Sequence, residues 1–377
     1  MVARVKIAFV STVLHFPWGG ADTLWTRAAE AAAARGDSLF LSLSPLTAAH
    51  PRIRALLAAG ATLDLRTPTS PRLSLADRTL RKLGRPTPTA DRALADALEK
   101  FAPDLVVFSH GGAYDLLQFP AVLAALRRRH MSWRAICNWQ AEHPLLNADD
   151  LERIREAFAS ADLIAFVSTR NLAITRRHLL LPLPNAVVVH NPLRWSPADV
   201  SSWPAAPEAR LATVSRLDSG KGIHLLLHAL AEANPSLPPW RLQVFGHGPQ
   251  ENELRALVAH LALGDRVAFR GHVGSLREIW ADNHLLCAPA IDDGVPMTLP
   301  EALLCERPVL STRVGGAEDW ITPQETGYLC PAATVPFLAE ALAHALADHA
   351  HWPAFGAAAR PATLARYRPD DYLRLIA

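Results

Sequence analysis

Short apolar runs alternate with longer segments of helical periodicity along most of the chain. The first run is followed by a Pro/Gly loop and then by a helical pattern over residues 22–35. Strands that alternate with helices and end in glycine-rich loops are typical of a doubly wound parallel sheet, so we predict an α/β fold. The predicted strands cover residues 6–12, 38–44, 104–108, 134–139, 163–167, 186–190, 211–215, 241–245, 266–269, 285–288 and 308–311.

The alternation stops between residues 191 and 208, where proline, serine and tryptophan replace the apolar runs. It then restarts without a clear internal sequence repeat. We therefore predict two similar α/β domains, residues 1–193 and residues 209–357, joined by a linker over residues 194–208. Ligands of such sheets bind beyond the carboxyl ends of the strands, so functional residues are expected in the loops that follow strands.

Charge narrows the range of partners. The net charge is +2, but residues 1–190 carry 23 Lys/Arg against 16 Asp/Glu, and residues 191–377 carry 15 against 20. Basic clusters at 78–82, 127–130 and 176–178 leave two interpretations open, namely contact with an anionic membrane surface or acceptor, or helix ends in water. Aromatic residues are not interleaved with these clusters, so no nucleic-acid partner is expected.

Cysteine spacing and hydropathy favour a cytoplasmic protein, with peripheral contact at the inner membrane face left open. Cys137, Cys287, Cys305 and Cys330 form no C-x-x-C pair and no metal-like spacing, which is typical of reduced core thiols. The apolar start of the chain is short and lacks a small-residue cleavage pattern, so we interpret it as a strand and not as a signal peptide. No run of about 18 apolar residues predicts a membrane span.

The most informative segment covers residues 293–301, where Asp293 and Glu301 lie eight positions apart around a Gly/Pro loop. Pro300 suits the first helical position, because its fixed φ already matches the helix. A helix start attracts phosphate, and carboxylates beside it can accept hydrogen bonds from sugar hydroxyls. The alternative interpretation is an ordinary Asp-Gly turn followed by a glutamate that favours the helix dipole.

A second segment, residues 214–222, indicates a strand, a glycine-containing loop and then a helix. Arg216 and Lys221 lie in this loop, close to the predicted helix start. The planar guanidinium of arginine and the point charge of lysine together suit a diphosphate. The alternative is a pair of solvated surface charges.

The second half resembles the nucleotide-sugar-binding domain of the retaining glycosyltransferases of family 4, which have the GT-B fold. The resemblance runs in order through Arg216 and Lys221, residues 245–249, residues 266–273 and the 293–301 segment, with glycines further on. It implies two Rossmann-like domains that face each other across a cleft, an acceptor-binding domain over residues 1–193 and a donor-binding domain over residues 209–357. In that fold the last helix returns to the first domain, which implies that residues 358–377 complete it.

The resemblance also implies roles at matching positions. Arg216 and Lys221 would bind the diphosphate of the donor, Glu301 the ribose hydroxyls and Asp293 the transferred sugar, at a position where the family usually has glutamate. Pro300 cannot donate an N–H, so one donor present in many relatives is missing here. Further donor contacts are implied for Gly20, Gly248, Val273, Met297, Thr298 and Leu299.

These roles predict a retaining hexosyltransferase that moves sugar from a nucleotide-diphosphate sugar to an acceptor hydroxyl. The cations would stabilise the departing diphosphate, and because the sequence offers no convincing metal site or activated nucleophile, a metal-independent front-face substitution without cofactor is expected. The predicted partners are the nucleotide-sugar donor and a sugar, lipid-linked or small-molecule acceptor.

The acceptor side is less defined by sequence. Many relatives carry a histidine at the end of a first-domain strand, where this chain has Asn138 and Gln140, followed by Glu142 and His143. We predict that Glu142 and His143 assist catalysis, with surface or loop positions as the alternative. Two other classes stay open: another enzyme on the same scaffold, such as a nucleotide-sugar epimerase, and a non-catalytic partner of an active glycosyltransferase. A nicotinamide-dependent dehydrogenase is disfavoured, because the G-x-G-x-x-G fingerprint is missing.

Overall fold

The computed structural model describes residues 4–14, 18–66, 88–142, 146–233 and 237–377. The chain divides into two compact units. The first consists of residues 1–192 and 368–377, and the second of residues 193–367. Each unit contains a parallel sheet with helices, so the predicted α/β class with two Rossmann-like domains is confirmed.

The first unit holds a parallel sheet whose seven described strands follow the order β3-β2-β1-β4-β5-β6-β7. Within it, strand β1 is paired in parallel with β2 and β4. The strands are β1 Lys6–Ser11, β2 Ser38–Leu43, β3 Thr62–Leu65, β4 Leu105–Gly112, β5 Ser132–Trp139, β6 Leu163–Phe166 and β7 Ala186–Val188. The helices are α1 Gly20–Ala34, α2 Pro45–Ala48, α3 Pro51–Ala58, α4 Pro88–Phe101, α5 Pro120–Arg129, α6 Ala148–Ser160 and α7 Thr169–Leu179.

The core of the first unit explains why its strands are apolar at consecutive positions. Ile7, Ala8, Phe9 and Val10 are all buried, because helices cover both faces of a parallel sheet. The C-terminal segment, residues 368–377, is bound to the rest of this unit through Asp371. The Asp371 carboxylate accepts hydrogen bonds from the backbone N–H and the ring Nδ1 of His190, at 2.9 and 3.0 Å.

The second unit holds a parallel sheet whose six described strands follow the order β10-β9-β8-β11-β12-β13. One apolar cluster packs on each face of this sheet, around Leu242 on one side and Phe245 on the other. The strands are β8 Ala209–Val214, β9 Trp240–Phe245, β10 Val267–Gly271, β11 Leu285–Ala288, β12 Val309–Thr312 and β13 Gly327–Cys330. The helices are α8 Ile223–Ala233, α9 Glu251–His260, α10 Leu276–Trp280, α11 Thr298–Leu304, α12 Ala317–Trp320, α13 Val335–Ala347 and α14 Trp352–Arg366.

The predicted linker, residues 194–208, packs on the second unit. The buried guanidinium of Arg307 donates to the carbonyl oxygens of Ser201 and Ser202, at 3.3 and 2.9 Å, and to those of Trp280 and Asn283. Burial lowers the pKa of Arg307 to about 10. One cation thus holds three separate segments together through their backbone oxygens.

The C-terminal boundary differs from the prediction, in which residues 358–377 complete the first domain. Helix α14 belongs to the second unit, where Trp352 is fully buried in the core. Gly356 lies so close to this unit that a Cβ there would approach the Glu306 carbonyl oxygen to 2.2 Å. Residues 368–377 alone join the first unit, with a 3-10 helix at Asp371–Leu375 in place of an α-helix. The apolar face of α14 therefore fixes its place.

Candidate donor site

The site begins at the loop after β8, which contacts the loop after β9. The Leu217 N–H donates to the His247 carbonyl at 3.0 Å. Gly246 has φ +122°, and a Cβ there would lie 1.9 Å from the Ser215 carbonyl oxygen. A Cβ at Gly248 would lie 2.3 Å from the Leu217 carbonyl oxygen. Gly248, predicted as a donor contact, is therefore required by this close approach of two backbones.

Lys221 and Asp293 come together across two loops. Lys221 ends a 3-10 turn, Ser219–Lys221. The Gly220 carbonyl accepts from the N–H groups of Ile291 and Asp292, at 2.8 and 3.2 Å, which brings the 219–222 and 291–293 segments side by side. The Lys221 ammonium then donates to the Asp293 carboxylate at 2.5 Å. Two of the predicted site residues, far apart in sequence, thus form one ion pair.

Gly222 makes this approach possible. It has φ +64°, where side chains are rare, and a Cβ would lie 2.0 Å from the Pro289 carbonyl oxygen. Gly315 does the same on the other side of the 293–301 segment, with φ +52° and a Cβ position 2.1 Å from the Gly294 carbonyl oxygen. Glycine is therefore needed on both sides of Asp293.

Arg216 lies at the start of the same loop and is directed along it. Its Nε donates to the Asp218 carboxylate at 2.6 Å, and 42% of its side chain is exposed. Asp218 also caps the following 3-10 turn through the Gly220 N–H. The loop thus presents two cations, each held by a carboxylate that a stronger anion could replace.

Helix α11 carries Glu301 into a buried position. The Glu301 side chain is 1% exposed, and its Oε1 accepts from the Arg194 N–H at 3.3 Å, with Arg194 Nε at 3.5 Å. Its Oε2 has no hydrogen-bond partner among the described residues. Burial raises the pKa of Glu301, against the opposing effect of Arg194. A buried carboxylate with an unsatisfied oxygen is a ready acceptor for ligand hydroxyls.

The remaining predicted contacts of the second unit are placed as follows. Met297 and Thr298 are half-buried at the start of α11. Leu299 is fully buried, and its N–H donates to the Pro296 carbonyl at 3.0 Å, so its backbone donor is used within the turn. Val273 is partly buried against the apolar cluster that contains Phe245.

In the first unit, Gly20 is exposed at the first position of α1. Glu142 is exposed, and its carboxylate forms ion pairs with Arg170 and Arg177, at 2.7 and 2.9 Å. His143 lies outside the described residues. Asn138 and Gln140 are buried. The structure therefore gives Glu142 surface partners, and its predicted catalytic role stays a prediction.

A buried polar cluster lies at the carboxyl ends of β4 and β5. The Asn138 amide donates to the His110 carbonyl at 2.7 Å, and the Asp115 carboxylate accepts from the Gly111 N–H at 2.9 Å. Burial lowers the pKa of His110 to about 3 and raises the pKa of Asp115. The sequence indicates His110 only by its place at a strand end, and no sequence signal points to Asp115 or Arg194.

The basic cluster at 127–129 is paired with carboxylates. Arg127, Arg128 and Arg129 pair with Glu156 and Glu99. The cluster at 78–82 lies outside the described residues.

Within the described ranges, no group of three or more His, Cys, Asp or Glu side chains is placed to hold a metal ion. The helices in the same ranges are too short or too polar to cross a bilayer.

Comparison with known proteins shows what the second unit is similar to. Residues 208–348 match the family described as "Glycosyl transferases group 1". An exopolysaccharide phosphotransferase of Streptomyces coelicolor is 35% identical over 143 residues, which cover 37% of this chain and 15% of that protein. The chain spans well under two thirds of the length of the first curated relatives it matches.

Solved structures resemble the whole chain. A glycosyltransferase from Rickettsia africae has a TM-score of 0.73 at 14% identity, covering 99% of this chain and 97% of that one. The Anabaena protein HepE in complex with UDP has a TM-score of 0.71 at 18% identity, covering 98% of each chain. At such identities these likenesses establish the fold.

The fold is that of the GT-B glycosyltransferases, with two Rossmann-like units. Its second unit, which matches the group 1 glycosyl transferase family over residues 208–348, carries the Lys221–Asp293 pair and the buried Glu301.

Proposed function

We propose that this protein is a retaining glycosyltransferase that moves a hexose-type sugar from a nucleotide-diphosphate sugar to an acceptor hydroxyl. The observation that carries the proposal is the 2.5 Å contact of Lys221 with Asp293 in the same domain as the buried Glu301. Together these residues supply a cation for a diphosphate and two carboxylates for hydroxyl groups. The binding of UDP by the HepE protein, which shares the fold, supports a nucleotide-sugar donor.

In the proposed reaction, Arg216 and Lys221 stabilise the charge that develops on the departing diphosphate. Each cation is already held in place by a carboxylate, so little reorganisation is needed when the phosphate oxygens take over that contact. Asp293, released from Lys221, then accepts from a hydroxyl of the transferred sugar. Glu301 accepts from the ribose hydroxyls through its unsatisfied Oε2.

The acceptor hydroxyl attacks the anomeric carbon on the face that the diphosphate leaves, and its proton passes to the departing phosphate oxygen. The new bond therefore forms on the same face of the sugar as the bond that breaks, which retains the anomeric configuration. The reaction needs no metal in this proposal, because the two cations provide the positive charge that a divalent ion would otherwise supply. The acceptor is a sugar, a lipid-linked sugar or a small molecule, bound by the first unit. The protein acts in the cytoplasm, and its basic first half permits peripheral contact with the membrane.

A panel of nucleotide sugars in a thermal-shift assay tests the donor. A true donor raises the melting temperature in proportion to its occupancy. We expect Lys221→Ala and Glu301→Ala each to abolish this shift, because they remove the diphosphate cation and the ribose acceptor. Arg241→Met is the matched control, since Arg241 is an exposed arginine paired with Glu208 at the start of β9.

The reaction itself is followed by NMR with the donor that stabilises the protein most. Retention is expected in the product anomer, and full activity is expected in excess EDTA. Transfer with inversion would contradict the front-face step, and activity lost in EDTA would contradict metal independence. Donor turnover without acceptor, with release of an altered free sugar, would favour an epimerase. Unchanged binding in both alanine variants would overturn the site.

A further inference from the structure

Glu301 is held by a residue that lies far from it in sequence. Its Oε1 meets two groups of Arg194, the backbone N–H at 3.3 Å and the side-chain Nε at 3.5 Å. Its Oε2 has no partner within the described part of the chain. The two oxygens of one buried carboxylate therefore have different surroundings, and Arg194 makes the difference.

The charged and titratable groups near Glu301 come from two segments. Arg194 and Asp199 lie in the segment that precedes β8, and Cys305 follows α11. Arg194 favours the ionised carboxylate, whereas burial and Asp199 oppose it. The Cys305 thiol is buried, and its pKa is raised to about 12, so it stays neutral near neutral pH. Arg194 is thus the cation that partly offsets the effect of burial on the pKa of Glu301.

We propose that Arg194 is a positioning residue for recognition of the nucleotide sugar. It holds Oε1 of an ionised Glu301 and leaves Oε2 to accept hydrogen bonds from the ribose hydroxyls. This inference rests on the proposed function, in which Glu301 binds the ribose. A protonated carboxyl would present an O–H in place of one acceptor, so it would pair poorly with two hydroxyl donors. Hydrogen bonds to an ionised acceptor are also the stronger ones.

The expected effect has a pH signature. In Arg194→Met the backbone N–H contact remains, but the offsetting cation is lost, so the pKa of Glu301 rises further. Donor affinity then falls by about tenfold near neutral pH and recovers as pH rises, because alkali ionises Glu301 again. Arg194→Lys, which keeps the charge, retains most of the affinity. A purely structural role in the loop would give a loss that does not depend on pH.

Two measurements test this on the full chain. The first is an infrared titration of the ligand-free protein, in which the spectrum of Glu301→Gln identifies the Glu301 carboxyl band. The band is expected to titrate at higher pH in Arg194→Met than in the wild type. The second is calorimetric binding of UDP-glucose from about pH 5 to about pH 9. Arg241→Met, which removes the pair between an exposed arginine and the partly buried Glu208, is the control.

The outcomes separate this inference from the proposed function. If Glu301→Gln binds UDP-glucose as the wild type does, the ribose role of Glu301 fails. If Glu301→Gln loses binding but Arg194→Met titrates and binds like the wild type, the inference about Arg194 is wrong and the proposed function stands. If the wild type does not bind UDP-glucose, the infrared titration alone decides: a band that moves in Arg194→Met supports the inference, and an unmoved band overturns it.

Discussion

The two units place different kinds of polar side chain at the carboxyl ends of their strands. In the second unit the groups are charged, partly exposed and paired side chain to side chain, as in Lys221 with Asp293. In the first unit they are buried and bound mostly to the backbone, as in Asn138 with the His110 carbonyl. Charged pairs can exchange one partner for a charged ligand, whereas a buried network resists change. The strand ends of the second unit are therefore suited to binding a charged ligand, and those of the first unit to keeping a fixed structure.

The largest effect is expected where the second unit needs glycine to bring its charges together. Gly222→Ala places a Cβ against the Pro289 carbonyl oxygen at a positive φ, so the loop must shift. We expect a loss of about 3 kcal/mol in the free energy of unfolding, together with loss of donor binding. Urea denaturation and the thermal-shift panel measure the two effects.

Gly264→Ala is the matched control for this prediction, because a Cβ there meets no atom within 4 Å and its φ does not lie in the left-handed region. Wild-type donor binding in Gly222→Ala would mean that the two loops do not depend on this contact, and the comparison with the first unit would weaken.

A medium effect is expected from the buried cluster of the first unit. Burial lowers the pKa of His110 to about 3, so the unfolded chain binds a proton at higher pH than the folded chain does. The stability that neutral His110 permits is present above about pH 6.5 and is lost as pH falls toward 3. Near pH 4 the loss amounts to about 3 kcal/mol.

His110→Asn is therefore expected to flatten the decline of stability between pH 7 and pH 4, whatever its own effect at neutral pH. Urea denaturation at a series of pH values measures this slope for each variant. His260→Asn, at the exposed end of α9, is the control for replacing a histidine. The same slope in His110→Asn and the wild type would show that the ring is not buried as described.

The smallest effect is expected for Glu142. It is about half exposed and pairs with two exposed or half-exposed arginines, an arrangement that contributes little to stability. We expect Glu142→Gln to change the free energy of unfolding by less than about 0.5 kcal/mol. Steady-state kinetics test its predicted catalytic role separately. A large fall in kcat at unchanged stability would support a catalytic role for Glu142.

The sequence predicts most of the sheet because buried parallel strands are apolar at consecutive positions. The predicted bounds of strand β11, Leu285–Ala288, are those of the structure, and the bounds of most other strands agree within a few residues. The missed strands are β3 and β13. Thr62–Leu65 is exposed or half-buried at the sheet edge, and Gly327–Cys330 begins with glycine, so neither shows a continuous apolar run.

The candidate site is only partly predictable. Lys221 and Asp293 are each indicated by a local motif, but their 2.5 Å contact depends on how two loops pack, which no spacing specifies. Arg194 lies in a segment whose composition indicates a linker, and its contact with Glu301 arises from tertiary packing across 107 positions. The backbone constraint at Gly248 is hidden for the same reason.

Arg307 determines where the second unit can be separated from the rest of the chain. Its guanidinium donates to backbone oxygens of residues 201 and 202. A fragment that begins at residue 209 lacks these two acceptors, so part of the guanidinium would lose its hydrogen bonds. A fragment over residues 193–367 keeps every one of these acceptors. Autonomous folding is therefore expected for the longer fragment, and proteolysis should spare the Pro/Ser-rich stretch despite its linker-like composition.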